Sequence, residues 1–135
     1  MDLISSEVVT EKIRVRALPA YQADHSSPEQ NRYLFSYHII IHNESEVDVT
    51  LKSRCWKIIN AEGDEHEVRG SGVVGETPII APGEFYEYDS FSILDTPFGT
   101  MEGHYILERE DGDVIKVEVA RFYLATNADV SSSLT

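Results

Sequence analysis

Tyr33-Leu34-Phe35-Ser36-Tyr37-His38-Ile39-Ile40-Ile41-His42 carries a period of two. In an extended chain Tyr33, Phe35, Tyr37, Ile39 and Ile41 share one face, while Ser36, His38 and His42 lie on the other. A strand with one apolar and one wet face belongs to an antiparallel sheet packed on a core. The flanking sequence repeats this rhythm. Glu7 to Ala17 sets Val9, Ile13, Val15 and Ala17 against Glu11, Lys12, Arg14 and Arg16, and Pro19 is expected to end that strand. Val47 to Asn60 holds Val49 and Leu51 early and Trp56 and Ile58 late, so its inward parity switches near Ser53-Arg54. One extra residue there, a β-bulge, restores the pattern.

Further along, Asn60-Ala61-Glu62-Gly63-Asp64 has turn chemistry and leads to a short strand over Glu65 to Arg69. A strand is expected from Glu84 to Ser92, with Phe85, Tyr86 and Tyr88, and another from Thr100 to Glu110. In the latter, Met101, Gly103, Tyr105 and Leu107 alternate against Glu102, His104 and Glu108. Asp111-Gly112 signals a hairpin into a last strand with Ile115, Val117 and Val119, and Phe122 and Leu124 close the core. About seven strands without intervening helices predict an all-β immunoglobulin/fibronectin type III-like two-sheet sandwich. The Cys-Trp-Cys signature of true immunoglobulin domains is missing, which favours the second comparison. The expected organisation is a flexible start over residues 1–6, the sandwich over 7–124 and a disordered polar tail over 125–135.

The 135 residues suffice for one core. Twenty-four Asp and Glu against eleven Lys and Arg give a formal charge of -13. That field disfavours nucleic acid and anionic membranes as partners, since phosphate contacts need clustered cations and Lys12, Arg14 and Arg16 form the only short basic cluster. No stretch reaches the ~18 apolar residues of a membrane helix. Cys55 is the single cysteine, and Met1 to Glu7 shows no leader pattern, so a cytoplasmic protein is expected.

Gly70-Ser71-Gly72-Val73-Val74-Gly75 spells the dinucleotide-binding pattern. That pattern works when a strand enters it and a helix leaves it, whose amino end holds the pyrophosphate. Thr77 and Pro78 follow with no helical period, so no dinucleotide cofactor is expected. The glycines instead suit a chain crossing between sheets at close quarters. An anion nest of backbone N–H groups beside Arg69 stays open as a second reading. Arg69, Gly70, Ser71, Gly72, Val73, Val74 and Gly75 therefore form the candidate binding loop, and the polar Gln22 to Gln30 segment a second functional loop.

Metal spacing is poor. His38 and His42 share a strand face but stand about 13 Å apart. Glu102 with His104, or the acidic Asp64-Glu65-His66-Glu67, would need further ligands to hold a divalent cation. No serine sits in a nucleophile elbow, and Cys55 lies within a strand pattern where an inert thiol is the rule. No catalytic residue is assigned, and the chain is expected not to be an enzyme.

Five ordered blocks carry a resemblance over about Val9 to Leu124. They are Asn31 to Tyr37, Leu51 to Ile58 (Leu-Lys-Ser-Arg-Cys-Trp-Lys-Ile), Val68 to Gly75, Pro82 to Tyr88 and Gly99 to Tyr105. Together they resemble the ApaG family. Cys55 stands where a bulkier polar residue is frequent and Ala120 where proline is frequent, and neither touches the glycine loop. The resemblance implies a fibronectin type III-like sandwich. Because related domains are appended to eukaryotic F-box and polymerase-interacting proteins, it also implies protein binding. Bacterial stand-alone members are associated with cobalt and magnesium tolerance or efflux, often beside a diadenosine tetraphosphate hydrolase gene. The expected function is thus a protein-binding module with an unidentified partner. A phosphate, pyrophosphate or divalent-cation ligand is the alternative, and an uncovered edge strand could also pair two copies as a homodimer.

Overall fold

Alternation makes the strands here, and left-handed turn residues cut them. The computed structural model describes residues 3–126. In chain order the strands are β1 (Ser6–Thr10), β2 (Ile13–Tyr21), β3 (Tyr33–Asn43), β4 (Val49–Asn60), β5 (Glu65–Ser71), β6 (Ile79–Ile80), β7 (Phe85–Leu94), β8 (Phe98–Arg109) and β9 (Val114–Ala125). Two single-turn 3-10 helices, Ala23–His25 and Pro28–Gln30, lie between β2 and β3. One antiparallel sheet has the order β1-β2-β3-β7 and the other β5-β4-β8-β9, with β6 added to β4. The two-sheet sandwich is the architecture that the alternation predicts.

The core follows the opening stretch. Phe35, Ile39 and Ile41 are fully buried and Tyr37 nearly so, and Trp56, Tyr105 and Phe122 meet them from the other sheet. The β4 register shifts between Leu51 and Ser53, so Lys52 is the bulged residue, one place before the predicted switch. Beyond it Trp56 turns inward.

Several boundaries differ from the sequence reading. Glu7 to Ala17 is a hairpin, not one strand, because Glu11 and Lys12 take φ of 47° and 66° and form a two-residue turn without glycine or asparagine. Pro19 does not end β2. It pairs with Tyr37, and the last rung between β1 and β2 is Ser6 with Ala17, so the missing N–H faces the space beyond β1. Residues 4–6 are held and not a loose start. Ser6 Oγ donates to Ala120 O at 2.7 Å, and Tyr123 N–H donates to Ile4 O at 2.9 Å. At the other end Ala125 pairs with Phe98 and Thr126 N–H donates to Pro97 O, so the predicted tail cannot include those two. Residues 1–2 and 127–135 lie outside the described residues.

The bonds from Ser6 and Tyr123 draw the β1 edge of one sheet onto β9 of the other. The opposite side of the sandwich, between β7 and β5, has no such closure among the described residues. Asn43 and Asn60 fix its two ends. Buried Asn43 donates to Val47 O and Ile80 O, which ties β6 to the β3–β4 turn. Asn60 accepts from Glu62 and Asp64 N–H and donates to Asp95 Oδ1 at 2.9 Å, which ties the β4–β5 turn to the end of β7.

Candidate functional site

The glycine loop belongs to this open side. Gly70 and Ser71 finish β5, and Val73 and Glu76 close a tight turn with reciprocal N–H···O bonds of 2.8 Å. Val74 and Gly75 occupy its two central positions with φ of 42° and 81°. The chain then returns to pair Ile79 and Ile80 with Thr50 and Val49 of the same sheet. The predicted crossing between sheets is therefore not here but after the Ala81–Glu84 turn, where β7 begins. Close approach is nonetheless the reason for Gly72, since a Cβ there would stand 1.9 Å from Glu76 O.

Arg54 organises the loop. Its guanidinium lies across Gly70, where a Cβ would meet Nη1 at 2.7 Å, and donates to Ser71 O and Gly72 O at 3.1 and 2.9 Å. The N–H groups of Gly72 and Val73 are committed to Lys52 O and Glu76 O. Those two therefore have nothing to offer an anion. Arg69 is exposed on β5 and paired with Glu67, while Val73 is fully buried and Val74 exposed.

The second predicted loop is pinned at the far end of the same side. Gln22 Nε2 donates to Ser36 Oγ at 2.8 Å, and Ser26 Oγ both donates to Gln22 O and accepts from Leu34 N–H. This loop borders two hollows. One, of about 400 Å³, is lined by Gln22, His25, Leu34, Ser36, Asp89, Ser90 and Phe91. The other, of about 480 Å³, lies among Arg32, Ile58, Asn60, His66, Ile93 and Asp95.

β7 runs between the two loops. Tyr86 OH donates to Glu76 Oε2 at the glycine-loop end, and Phe91 lines the first hollow at the other. Five residues of strand put these points about 17 Å apart. Along the outer face of the strand stand Phe85, Glu87, Asp89, Phe91 and Ile93. Phe85 is 60%, Phe91 62% and Ile93 41% exposed. Phe85 stacks on His42 at 4.0 Å between ring centres.

Two backbone bonds fix which groups of β7 are spent. Asn43 N–H donates to Glu84 O, and Gln22 N–H to Leu34 O. In an antiparallel ladder bonding alternates, so the even residues of β3 bond β2 and its odd residues bond the even residues of β7. The N–H and C=O of Phe85, Glu87, Asp89, Phe91 and Ile93 therefore point out from the edge. At the corresponding edge of the other sheet, every residue of β5 except Gly70 is exposed, so neither face of that strand is covered.

His38 sits at the centre of this outer face, with Nε2 2.8 Å from Glu87 and Nδ1 2.9 Å from Asp89, so that the imidazolium form donates to both carboxylates. The hydrogen bond to Glu87 raises its pKa above the ordinary value, burial works against this, and Asp89 adds to it. A raised folded pKa stabilises the fold fully below the unfolded value near 6.5, and the contribution disappears as pH rises through the folded value. Because burial lowers the pKa of His104 and gives the opposite slope, the measurable quantity is the difference: from pH 6 to pH 8.5 the stability of wild type relative to His38→Gln is expected to decrease in denaturant melts. Equal slopes in the two proteins would show that the triad does not couple to folding.

Other chemistry does not converge. Among the described residues no three His, Cys, Asp or Glu side chains group as ligands for a metal ion. Cys55 is buried with a free thiol, and Tyr88 and Tyr105, hydrogen-bonded to each other in the core, are pushed up by burial and stay neutral. No helix of the described residues is long and apolar enough to cross a membrane.

The ApaG domain family matches residues 23–109, which span β3 to β8 with the glycine loop, the β7 edge and all of the second loop but Gln22. The chain belongs to the ApaG family. Proteins named ApaG from Shewanella loihica and Aromatoleum aromaticum are 48% and 44% identical to it, over 84% and 89% of this chain and 90% and 94% of theirs. The crystal structure of an ApaA protein from Bordetella pertussis superposes with a TM-score of 0.83 at 41% identity, covering 87% of this chain and 96% of that one. The C-terminal domain of wzt shares the fold alone, with a TM-score of 0.55 at 8% identity. In this ApaG domain β1, β2 and β9 lie beyond the matched stretch and complete both sheets.

The residues that sequence reading missed are Phe85, Phe91 and Ile93. Their signal was available. Glu87 and Asp89 share their parity, which marks the odd face of β7 as the wet one and leaves three large apolar side chains on it.

Proposed function

We propose that this ApaG domain is a non-catalytic protein-binding module working in the cytoplasm, and that its binding surface is the open β7–β5 side. The observation that carries this reading is the outer face of β7, where Phe85, Phe91 and Ile93 stand exposed on a strand with an unpaired edge. Phe91 and Ile93 are neighbours on that face, and contiguous exposed apolar side chains rimmed by polar residues mark interaction sites. Both predicted loops contribute, one at each end of the strand, and the lone cysteine suits a reducing compartment. The association with cobalt and magnesium tolerance that the family implies would then act through the protein partner.

Immobilised wild type and Phe91→Asp, incubated with lysate of the source organism, test this directly. A protein retained by wild type and lost with Phe91→Asp is the expected result. Repeated recovery of the same proteins by both, or of none, overturns the reading. Phe91 is exposed, so the substitution is expected to leave the melting midpoint within the range of ordinary surface changes, about 0.5 kcal/mol.

A further inference from the structure

Resting on the protein-binding reading, we infer that the β7 edge takes an extended, lysine- or arginine-bearing segment of its partner as an added antiparallel strand. Three features of the same strand support this. First, the outward N–H and C=O groups from Phe85 to Ile93 form an unspent ladder nine residues long. An unpaired edge is a template for strand addition, with main-chain bonds giving affinity and alternate side chains giving selectivity. Second, natural edges are normally blunted by charge, proline or shortness, and of these β7 has only the charge of Glu87 and Asp89, being long, free of proline and furnished with exposed phenylalanines.

Third, charge says what kind of strand it is. Between residues 61 and 95, which include both strands flanking the gap, nine Asp and Glu face the single Arg69. This quarter of the chain thus holds eight of the thirteen net negative charges. β7 itself has Glu87 and Asp89 at its middle and no Lys or Arg. Each of these carboxylates uses one oxygen on His38, leaving the other for an incoming cation. A second copy of β7 laid antiparallel would bring carboxylates against carboxylates, which destabilises cross-strand pairing. A basic strand reverses that sign. Its outward side chains would meet Ile93 and Phe91 with apolar groups and Asp89 and Glu87 with cations, while its other face would turn toward the side of β5 that carries His66 and Val68, the partners of Ile58 and Trp56.

The probe is a fluorescein-labelled peptide as long as Phe85–Ile93, with threonine alternating with outward valine or lysine so that the lysines meet Asp89 and Glu87. Titrated into the whole protein and followed by anisotropy, it is expected to bind at micromolar concentration and to weaken as salt rises. A copy N-methylated on the amides facing β7 is expected to lose at least about tenfold in affinity, and a copy methylated on the opposite amides to keep it. Glu87→Lys with Asp89→Lys is expected to shift preference to the peptide with glutamate in place of lysine. On binding, hydrogen exchange slows at Glu87, Asp89 and Phe91, while Tyr88 and Ser90, already bonded to β3, change little. Equal loss by both methylated copies, or binding without protection of the edge amides, overturns strand addition. If no peptide binds while the Phe91-dependent capture stands, the module binds protein by another geometry and only this inference falls. Loss of both removes the underlying reading as well. A dimer of the chain alone that Phe91→Pro dissociates assigns the edge to a second copy and also overturns the inference.

Discussion

Replacing Trp56 with alanine is expected to lower the unfolding free energy by about 3–5 kcal/mol. The indole is 3% exposed and makes edge contacts with Tyr37, Tyr105 and Phe122 at centroid distances of 5.5, 6.0 and 5.9 Å. Those partners sit on β3, β8 and β9, so one ring joins strands of both sheets. Truncation forfeits its transfer free energy and leaves a hole bounded by three aromatics that the ladders hold in place. Native domains are stable by about 5–15 kcal/mol, so the variant is expected to be folded but marginal. Urea melts of wild type, Trp56→Ala and Trp56→Phe measure this. The phenylalanine variant is expected to fall between the other two. A loss below about 1 kcal/mol in Trp56→Ala would place the ring outside the core.

Trp56 also shows how far the sequence could be read. Its inward position requires the parity switch, and the switch was legible because Val49 and Leu51 disagree in phase with Trp56 and Ile58. Strand period survives in sequence wherever one face is wet, which is why the expected bounds of β3 and β8 lie within about two residues of those observed. Turns without glycine or asparagine leave no such trace. Glu11-Lys12 reverses the chain with two charged residues in the left-handed region, so the β1–β2 hairpin looked like one strand. The two residues of β6 are too few to show a period at all, and with β6 hidden the glycine loop looked like a bridge between sheets.

Site legibility failed for a related reason. The glycine loop spells a dinucleotide-binding pattern, but its spacing answers a need for backbone approach at Gly72 and for the Arg54 guanidinium beside Gly70. The total charge of -13 was plain, whereas its concentration on one side depends on which strands end up as edges. Edge position is a property of topology. No local pattern in Phe85 to Leu94 says that β7 has one neighbour and β3 two, so the parity that exposes the phenylalanines is legible in the sequence, whereas their place along a free edge follows only from the strand order.

Gly103→Ala is expected to cost about 3 kcal/mol or more, the upper end for overpacking. Gly103 lies in β8, between Trp56 of β4 and Val119 of β9. A Cβ at this position would stand 2.0 Å from Cys55 O, 3.0 Å from Cys55 C and 3.1 Å from Trp56 Cα. All three are backbone atoms of a neighbouring ladder, so no side-chain rotamer can relieve the contact. Relief requires β4 and β8 to separate, which would break rungs on a strand bonded on both sides and displace Trp56 with them. Gly75→Ala is the control. It sits in the exposed turn with nothing within 4 Å of its added Cβ, so only its φ of 81° opposes alanine, at about 1–2 kcal/mol. Urea melts of the two variants are therefore expected to rank Gly103→Ala well below Gly75→Ala. If Gly103→Ala does not accumulate as folded protein while Gly75→Ala does, the ranking holds in its strongest form. Equal midpoints would mean that the Cys55 carbonyl can yield, and that the close approach of β8 to β4 is not what requires glycine at residue 103.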